Sequence, residues 1–363
     1  MASPTTEQRQ TAHSLHKGTA GNSISRAPST LDMVVDRVFR GLTLVCAGLA
    51  IVLVLYIVVQ IGGKAAPAMQ KYGLSFLTST TWDVNKGRFG VLPAIWGTLY
   101  SSVLALLLGG FFGVSIAIFL TQDFLPPKVE VVFKNIVELL AAIPSVVYGL
   151  WGIFVLIPTI RPAADWLHQH FGWIPFFSTY LSGPGMLPAA LVLAIMVLPT
   201  ISAISRDALS AVPPRFKEAA FGMGATRWEA ILRVIVPTAS TGIFGALVLG
   251  FGRALGETMA LAMLVGNSNQ LSISLFSPAN TLAALLALNF PEADKRQEQV
   301  LMYAAVLLLA ITLLVNICGA AVLRRATAHL SGGGKCEPWK ARQPPRELNC
   351  QRWSGHTVTL IAC

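Results

Sequence analysis

Residues 89–122 read FGVLPAIWGTLYSSVLALLLGGFFGVSIAIFLTQ, an uninterrupted stretch without charge between Arg88 and Asp123. The apolar residues are clumped rather than alternating. About 20 mostly apolar residues cross roughly 30 Å of hydrocarbon as a helix, and this run is longer than that. In lipid the backbone has no water to bond, so it must satisfy its own donors and acceptors, and the run reads as a membrane-spanning helix.

Similar runs recur on both sides of it. Uncharged segments separate Arg40 from Lys64, Glu138 from Arg161, Asp165 from Arg206, Arg233 from Arg253, Glu257 from Glu292 and Glu298 from Arg324. They place six spans near Gly41–Ile61, Ile95–Leu120, Val137–Ile157, Leu187–Ile204, Gly242–Val265 and Val300–Leu323. The expected fold class is therefore an all-α polytopic integral membrane protein. Composition agrees: 12% of residues are charged, 54% are hydrophobic, and the mean hydropathy is +0.62. Soluble domains carry about 25% charged residues. Pro144 and Pro199 fall inside spans and should kink them. The apolar stretch Asn280–Phe290 is too short to span and reads as a half-inserted or surface helix, capped by Asn280 or Thr281.

The net charge of +10 does not mark a nucleic-acid surface, because the basic residues lie between the apolar runs rather than in one patch. With both termini in the cytoplasm, nineteen Lys and Arg fall inside and seven outside; without the C-terminal tail it is twelve against seven. The positive-inside rule favours that orientation. The five cysteines form no disulfide framework and no metal spacing, so no cofactor is expected. Residues 1–36 read as a disordered cytoplasmic tail, 37–326 as the transmembrane domain, and 327–363 as an atypical, disordered tail without an assigned function.

Two segments stand out from this frame. In the segment 206–237 between spans four and five, Pro213-Pro214 ends one helix and opens another. A short helix from Arg215 to Phe221 follows, with a turn permitted by Gly222 and Gly224. Thr226-Arg227-Trp228-Glu229 is a capping-box pattern that restarts a helix. The second segment, Gly252 to Met259 in span five, carries Arg253 and Glu257. Four residues apart on one helix, they would share a face and could pair. A charge at the bilayer centre costs about 2.5–3.5 kcal/mol on insertion scales, so such residues face a polar cavity or a partner. Arg offers a fork of donors that cannot lose its charge, which suits a tetrahedral oxyanion.

Glu218-Ala219-Ala220, three residues, Gly224, nine residues and Val234-Ile235-Val236-Pro237 resemble the EAA loop of ABC importer permeases. Glu138-Leu139-Leu140-Ala141-Ala142-Ile143-Pro144-Ser145-Val146-Val147-Tyr148-Gly149, the stretch Gly252 to Met259, and Phe89 to Leu99 are similar to the phosphate-importer (Pst-type) permeases. The pattern is closer to the C-type subunit than to its A-type partner. The resemblance covers Leu31 to Arg325. It implies a type I ABC importer permease (MetI-like) architecture, a homologous A-type permease, an ATP-binding subunit dimer, an extracytoplasmic phosphate-binding protein, and phosphate as substrate. It also implies that Glu218, Ala219, Ala220 and Gly224 couple to the ATPase. Arg253 and Glu257 match charged positions connected with phosphate passage, and Glu138 is a weaker candidate that either joins them or pairs near the inner surface. On this reading the chain is no enzyme, since ATP hydrolysis belongs to a partner.

Other readings stay open at this point. Molybdate, sulfate or phosphonate would suit the same charges. An ion-coupled carrier would show an inverted repeat, which is not visible here, and would leave Glu218–Pro237 unexplained. A membrane-embedded enzyme would need a His/Asp cluster or an activated nucleophile, and the spans offer neither.

Overall fold

A computed structural model describes residues 30–331 apart from Asn85 and Asp123. Its regular structure is helical, with one isolated antiparallel bridge between Asp83 and Arg88. The helices are α1 (Thr30–Tyr72), α2 (Ser75–Thr78), α3 (Leu92–Thr121), α4 (Pro127–Ala142), α5 (Ser145–Phe171), α6 (Met186–Ser210), α7 (Pro214–Gly222), α8 (Arg227–Leu255), α9 (Met259–Leu264), α10 (Leu282–Asn289) and α11 (Lys295–Ser331). Six of them, α1, α3, α5, α6, α8 and α11, are long and apolar enough to cross a membrane. Helix α1 starts inside the segment expected to be an N-terminal tail, and α11 reaches into the one expected at the C-terminus. The rest of those two tails, 1–29 and 332–363, lies outside the described residues.

The core sits between α3, α6 and α8. Small residues let the first two approach closely: an added Cβ at Gly109 would stand 2.8 Å from the Ala194 carbonyl oxygen, and one at Gly113 would stand 3.0 Å from Ile201 Cγ2. Ile201 is fully buried at this junction. Such contacts replace the hydrophobic drive that lipid removes. Helix α1 behaves differently. From Leu31 to Val59 its apolar side chains are exposed all round, and it meets α11 through its later part. There Ala65 and Ala68 are buried, Lys64 Nζ pairs with Glu298 Oε1 at 2.9 Å, and the Tyr303 hydroxyl donates to the Gly73 carbonyl at 3.2 Å.

Two expected spans are redrawn. The third was placed continuously over Val137–Ile157, but the chain breaks at Ile143, which is extended (φ −72°, ψ 127°). The physical reason is Pro144, which disfavours helical conformation in the residue before it and has no N–H for the Leu140 carbonyl. The Tyr148 hydroxyl takes over that carbonyl at 2.8 Å. The fifth span was placed over Gly242–Val265; helix α8 instead starts at Arg227, ends at Leu255, and α9 restarts at Met259. Pro199, by contrast, lies within an uninterrupted α6.

Helices α5 and α8 share a local device. Each contains a π-helical segment, Gly152–Leu156 and Ile231–Ile235, that ends two residues before a proline, Pro158 and Pro237. The wider turn makes room where the proline ring would clash with the preceding turn. A threonine follows each proline, and Thr159 and Thr238 donate their hydroxyls to Val155 and Val234.

Helix α10 matches the short apolar helix expected there, with Thr281 as its cap. The Thr281 hydroxyl accepts the Ala284 N–H at 3.2 Å, and the Thr98 hydroxyl of α3 accepts the Leu282 N–H at 2.9 Å. Leu282 to Leu285 are buried, so this helix is packed into the bundle rather than laid on its surface. The close fit depends on Gly97, where a Cβ would stand only 1.9 Å from the Asn280 carbonyl oxygen. Gly97→Val should therefore displace α10 and destabilise the fold by roughly 1–3 kcal/mol or more. The thermal midpoint of the purified protein in detergent should fall by several degrees, and an unchanged midpoint would show that the contact is slack.

Candidate functional site

The segment after α6 folds by local rules. Pro214 occupies the first turn of α7, where its missing N–H leaves no bond unmade. The helix ends in a Schellman motif: Gly224 is left-handed (φ +84°), its N–H bonds the Phe221 carbonyl at 2.9 Å, and the Ala225 N–H bonds the Ala220 carbonyl at 3.0 Å. Gly222, expected to share in this turn, is still helical. Two residues beyond Gly224 the capping box is complete. The Thr226 hydroxyl accepts the Glu229 N–H, and Glu229 Oε2 accepts the Thr226 N–H at 2.9 Å. A C-cap and an N-cap thus sit back to back, which fixes the angle between α7 and α8.

Of the predicted residues, Ala220 is buried against the body, whereas Glu218, Ala219 and Gly224 are exposed. Beside them stand exposed apolar side chains: Phe216, Phe221, Trp228, and Met223 at 82% exposure. Sequence reasoning missed Phe124, which locks this unit to the end of α3. Its ring stacks on Phe119 at 5.8 Å, meets Trp228 at 5.3 Å, and lies 5.0 Å beneath the Arg227 guanidinium carbon. A lone phenylalanine after an apolar run carries no sequence signal for that role.

Arg253 and Glu257 lie at the other end of α8. The helix stops at Leu255, Gly256 adopts φ −90° and ψ −3°, and Glu257 leaves the helix. The shared helical face expected for the pair is therefore absent, and no ion pair among the described residues joins them. Glu257 Oε1 instead accepts the Ala260 N–H at 3.5 Å, at the start of α9, and the Thr258 hydroxyl donates to the Gly256 carbonyl. Arg253 is exposed on the isolated chain, between buried neighbours Ala254 and Leu255 and the half-buried Gly252. Asn316 of α11 stands against the preceding residue: a side chain at Gly252 would meet Asn316 Oδ1 at 3.1 Å. This polar group inside the last span was also missed; a single Asn in an apolar run gains meaning only from its neighbour.

Glu138 ends up apart from both groups. It pairs with Arg206 Nη1 at 3.7 Å, while Arg206 Nε lies 3.8 Å from Asp207. Arg206 is only 20% exposed and belongs to the end of α6 that leads into α7. Of the two roles considered for Glu138, the geometry supplies the pairing. These distances are long, and such pairs contribute under about 1 kcal/mol each. The predicted residues thus occupy separate stations. Helix α8, about 40 Å long at 1.5 Å per residue, connects the α7 turn to Arg253.

A family model described as "Binding-protein-dependent transport system inner membrane component" matches residues 109–328, which include every predicted site residue. The chain is 40% identical over 291 residues to the "Phosphate transport system permease protein PstC" of Haemophilus influenzae, covering 78% of this chain and 91% of that one. It is 35% identical over 276 residues to the "Probable phosphate transport system permease protein PstC" of Methanocaldococcus jannaschii, covering 74% and 87%. A subunit of a bacterial alginate ABC transporter, solved with an alginate pentasaccharide-bound periplasmic protein, shares the fold. Its TM-score is 0.55 at 17% identity, over 82% of this chain and 99% of that one. These relatives are named as permeases, transport components rather than enzymes. The chain belongs to the family of binding-protein-dependent transport system inner membrane components.

Proposed function

We propose that this chain is the membrane-spanning permease of an ATP-driven inorganic phosphate importer, acting with a homologous A-type permease, a dimer of ATP-binding subunits and an external phosphate-binding protein. The observation that carries the coupling half of this reading is the α7–α8 unit. A nine-residue helix, opened by Pro213-Pro214 and ended by a Schellman turn that abuts a capping box, presents Glu218, Ala219 and exposed apolar side chains outward. Small residues at the exposed surface let a partner seat closely, and the fixed turn makes the helix a rigid lever. The substrate half is supported by relatives whose printed names are phosphate permeases, matched over most of both lengths.

On this reading α7 faces the cytoplasm and both termini lie there. Nucleotide-driven movement of the ATPase pushes α7, and α8 transmits the push to Arg253. The guanidinium lines the path of the anion and offers it charge-assisted donors. Glu257, held at the start of α9, competes for the guanidinium as the helices shift and so helps release the anion. Glu138 and Arg206 tie α4 to the end of α6 that feeds the lever.

In proteoliposomes holding the full complex and its binding protein, Gly224→Val should disturb the left-handed turn. ATP hydrolysis should then persist while phosphate uptake falls at least tenfold; uptake that stays proportional to hydrolysis would contradict the lever. Glu218→Lys should act in the same direction. Arg253→Gln should reduce uptake of radiolabelled phosphate to background while the complex still co-purifies intact. Loss of assembly in that variant would assign Arg253 a purely structural part.

A further inference from the structure

At the end of the bundle opposite α7, a cleft of about 580 Å³ opens between the hairpin that precedes α3 and the loop that follows α9. We propose that this cleft is a second binding site, an entry station for a small tetrahedral oxyanion; that the oxyanion is phosphate rests on the function proposed above. Nothing in the transport cycle described so far uses these residues.

The charge in the cleft favours an anion. Lys86 and Arg88 line one wall. Arg88 forms no ion pair with any described residue, and Arg296 Nη1 stands 3.8 Å from the side-chain position of Gly87, between them. The carboxylate in the cleft is Asp83, and it is already engaged: Oδ1 accepts the Lys86 N–H at 3.1 Å, and Oδ2 lies 3.7 Å from Lys86 Nζ. Two cations against one carboxylate leave the lining positive.

The opposite wall is arranged to donate. Asn280 is fully buried beneath it, and its Oδ1 accepts the Thr281 N–H at 2.9 Å, which sets the orientation of the amide. Its Nδ2 then donates to Asn267 Oδ1 at 2.9 Å and Asn269 Oδ1 at 3.1 Å. Both lining amides have their oxygens tied down by a buried donor. With each oxygen facing the buried Asn280, the amino group, a donor without charge, sits on the other side of each amide. Asn267 is held in the left-handed region (φ +48°) next to Gly266 (φ +94°), a conformation asparagine tolerates better than most residues. Fixed donors and exposed guanidinium on facing walls are the chemistry that recognises phosphate or sulfate. Upstream of this loop the chain leads back through α9 to Glu257 and Arg253, so the cleft lies on the segment that follows the proposed path residues.

The test is equilibrium binding of radiolabelled inorganic phosphate, sulfate and molybdate to the purified complex, without nucleotide and without the external binding protein. Wild type should bind phosphate saturably. Arg88→Gln and Asn269→Asp should each weaken it about tenfold, the loss of one charge-assisted contact, whereas Lys71→Gln, which removes a cation at the same end outside the cleft, should not. Unchanged binding in both cleft variants overturns the site and leaves the phosphate function standing. Binding of sulfate or molybdate alone, weakened by Arg88→Gln, upholds the site and overturns phosphate as substrate. If the variants shift only the half-saturating concentration of the binding protein in ATPase stimulation, the cleft is a protein contact and the proposal fails. It fails equally if wild type captures phosphatidic acid vesicles but no free oxyanion.

Discussion

Every backbone amide and carbonyl placed in hydrocarbon has to find its partner inside the protein, because a bare one there costs several kcal/mol. Long helices meet that demand automatically; interruptions do not. Three interruptions among the described residues are closed by side chains. Pro144 strips the Leu140 carbonyl of its donor, and the Tyr148 hydroxyl supplies one. The gap between α8 and α9 is closed by Glu257 and Thr258. The start of α10 is closed by Thr281 from within and by Thr98 from a neighbouring helix. Tyr148, Glu257, Thr258 and Thr281 thus mark places where the backbone departs from a helix.

The same constraint explains what could be read in the sequence. Six spans followed from uncharged length alone, and the turn between α7 and α8 followed from Gly224 and the Thr226–Glu229 pattern, because caps are encoded within four residues. The break after Leu255 was not legible. Gly256-Glu257-Thr258 contains no proline, and Arg253 and Glu257 have the spacing of a helical pair, so local pattern favoured a continuous helix. What ended it is the competing use of Glu257 and Thr258 for the freed backbone groups. The link from Glu138 to Arg206, the ring of Phe124 under Arg227, and the amide set around Asn280 join residues distant in sequence. No window along the chain contains them.

Under the proposed coupling, separation of the stations has a mechanical meaning. A lever must be stiff where force enters and yielding where it acts. At the α7 end, caps back to back and the Phe119–Phe124–Trp228 stack fix the angle. At the far end α8 simply stops, and Gly256, exposed and without a side chain, is the link to α9. Between them the π segment before Pro237 is the one irregular turn of α8. If α7 is the lever proposed above, force entering there would have to pass this wide turn, a feature frequent at functional sites, before it reaches Arg253.

Arg253 also says what an isolated chain lacks. Its side chain is exposed on an apolar helix, and no ion pair among the described residues joins it to Glu257. Facing lipid, that arrangement would be costly on any insertion scale. Facing a second permease across a hydrated seam, it would not, since water and the anion itself would solvate the charge. The uncovered apolar length of α1 poses the same question in a milder form, because lipid and protein both suit it. Arg253 has no such latitude. The charge on α8 is thus the stronger physical argument for the proposed pairing with a second permease.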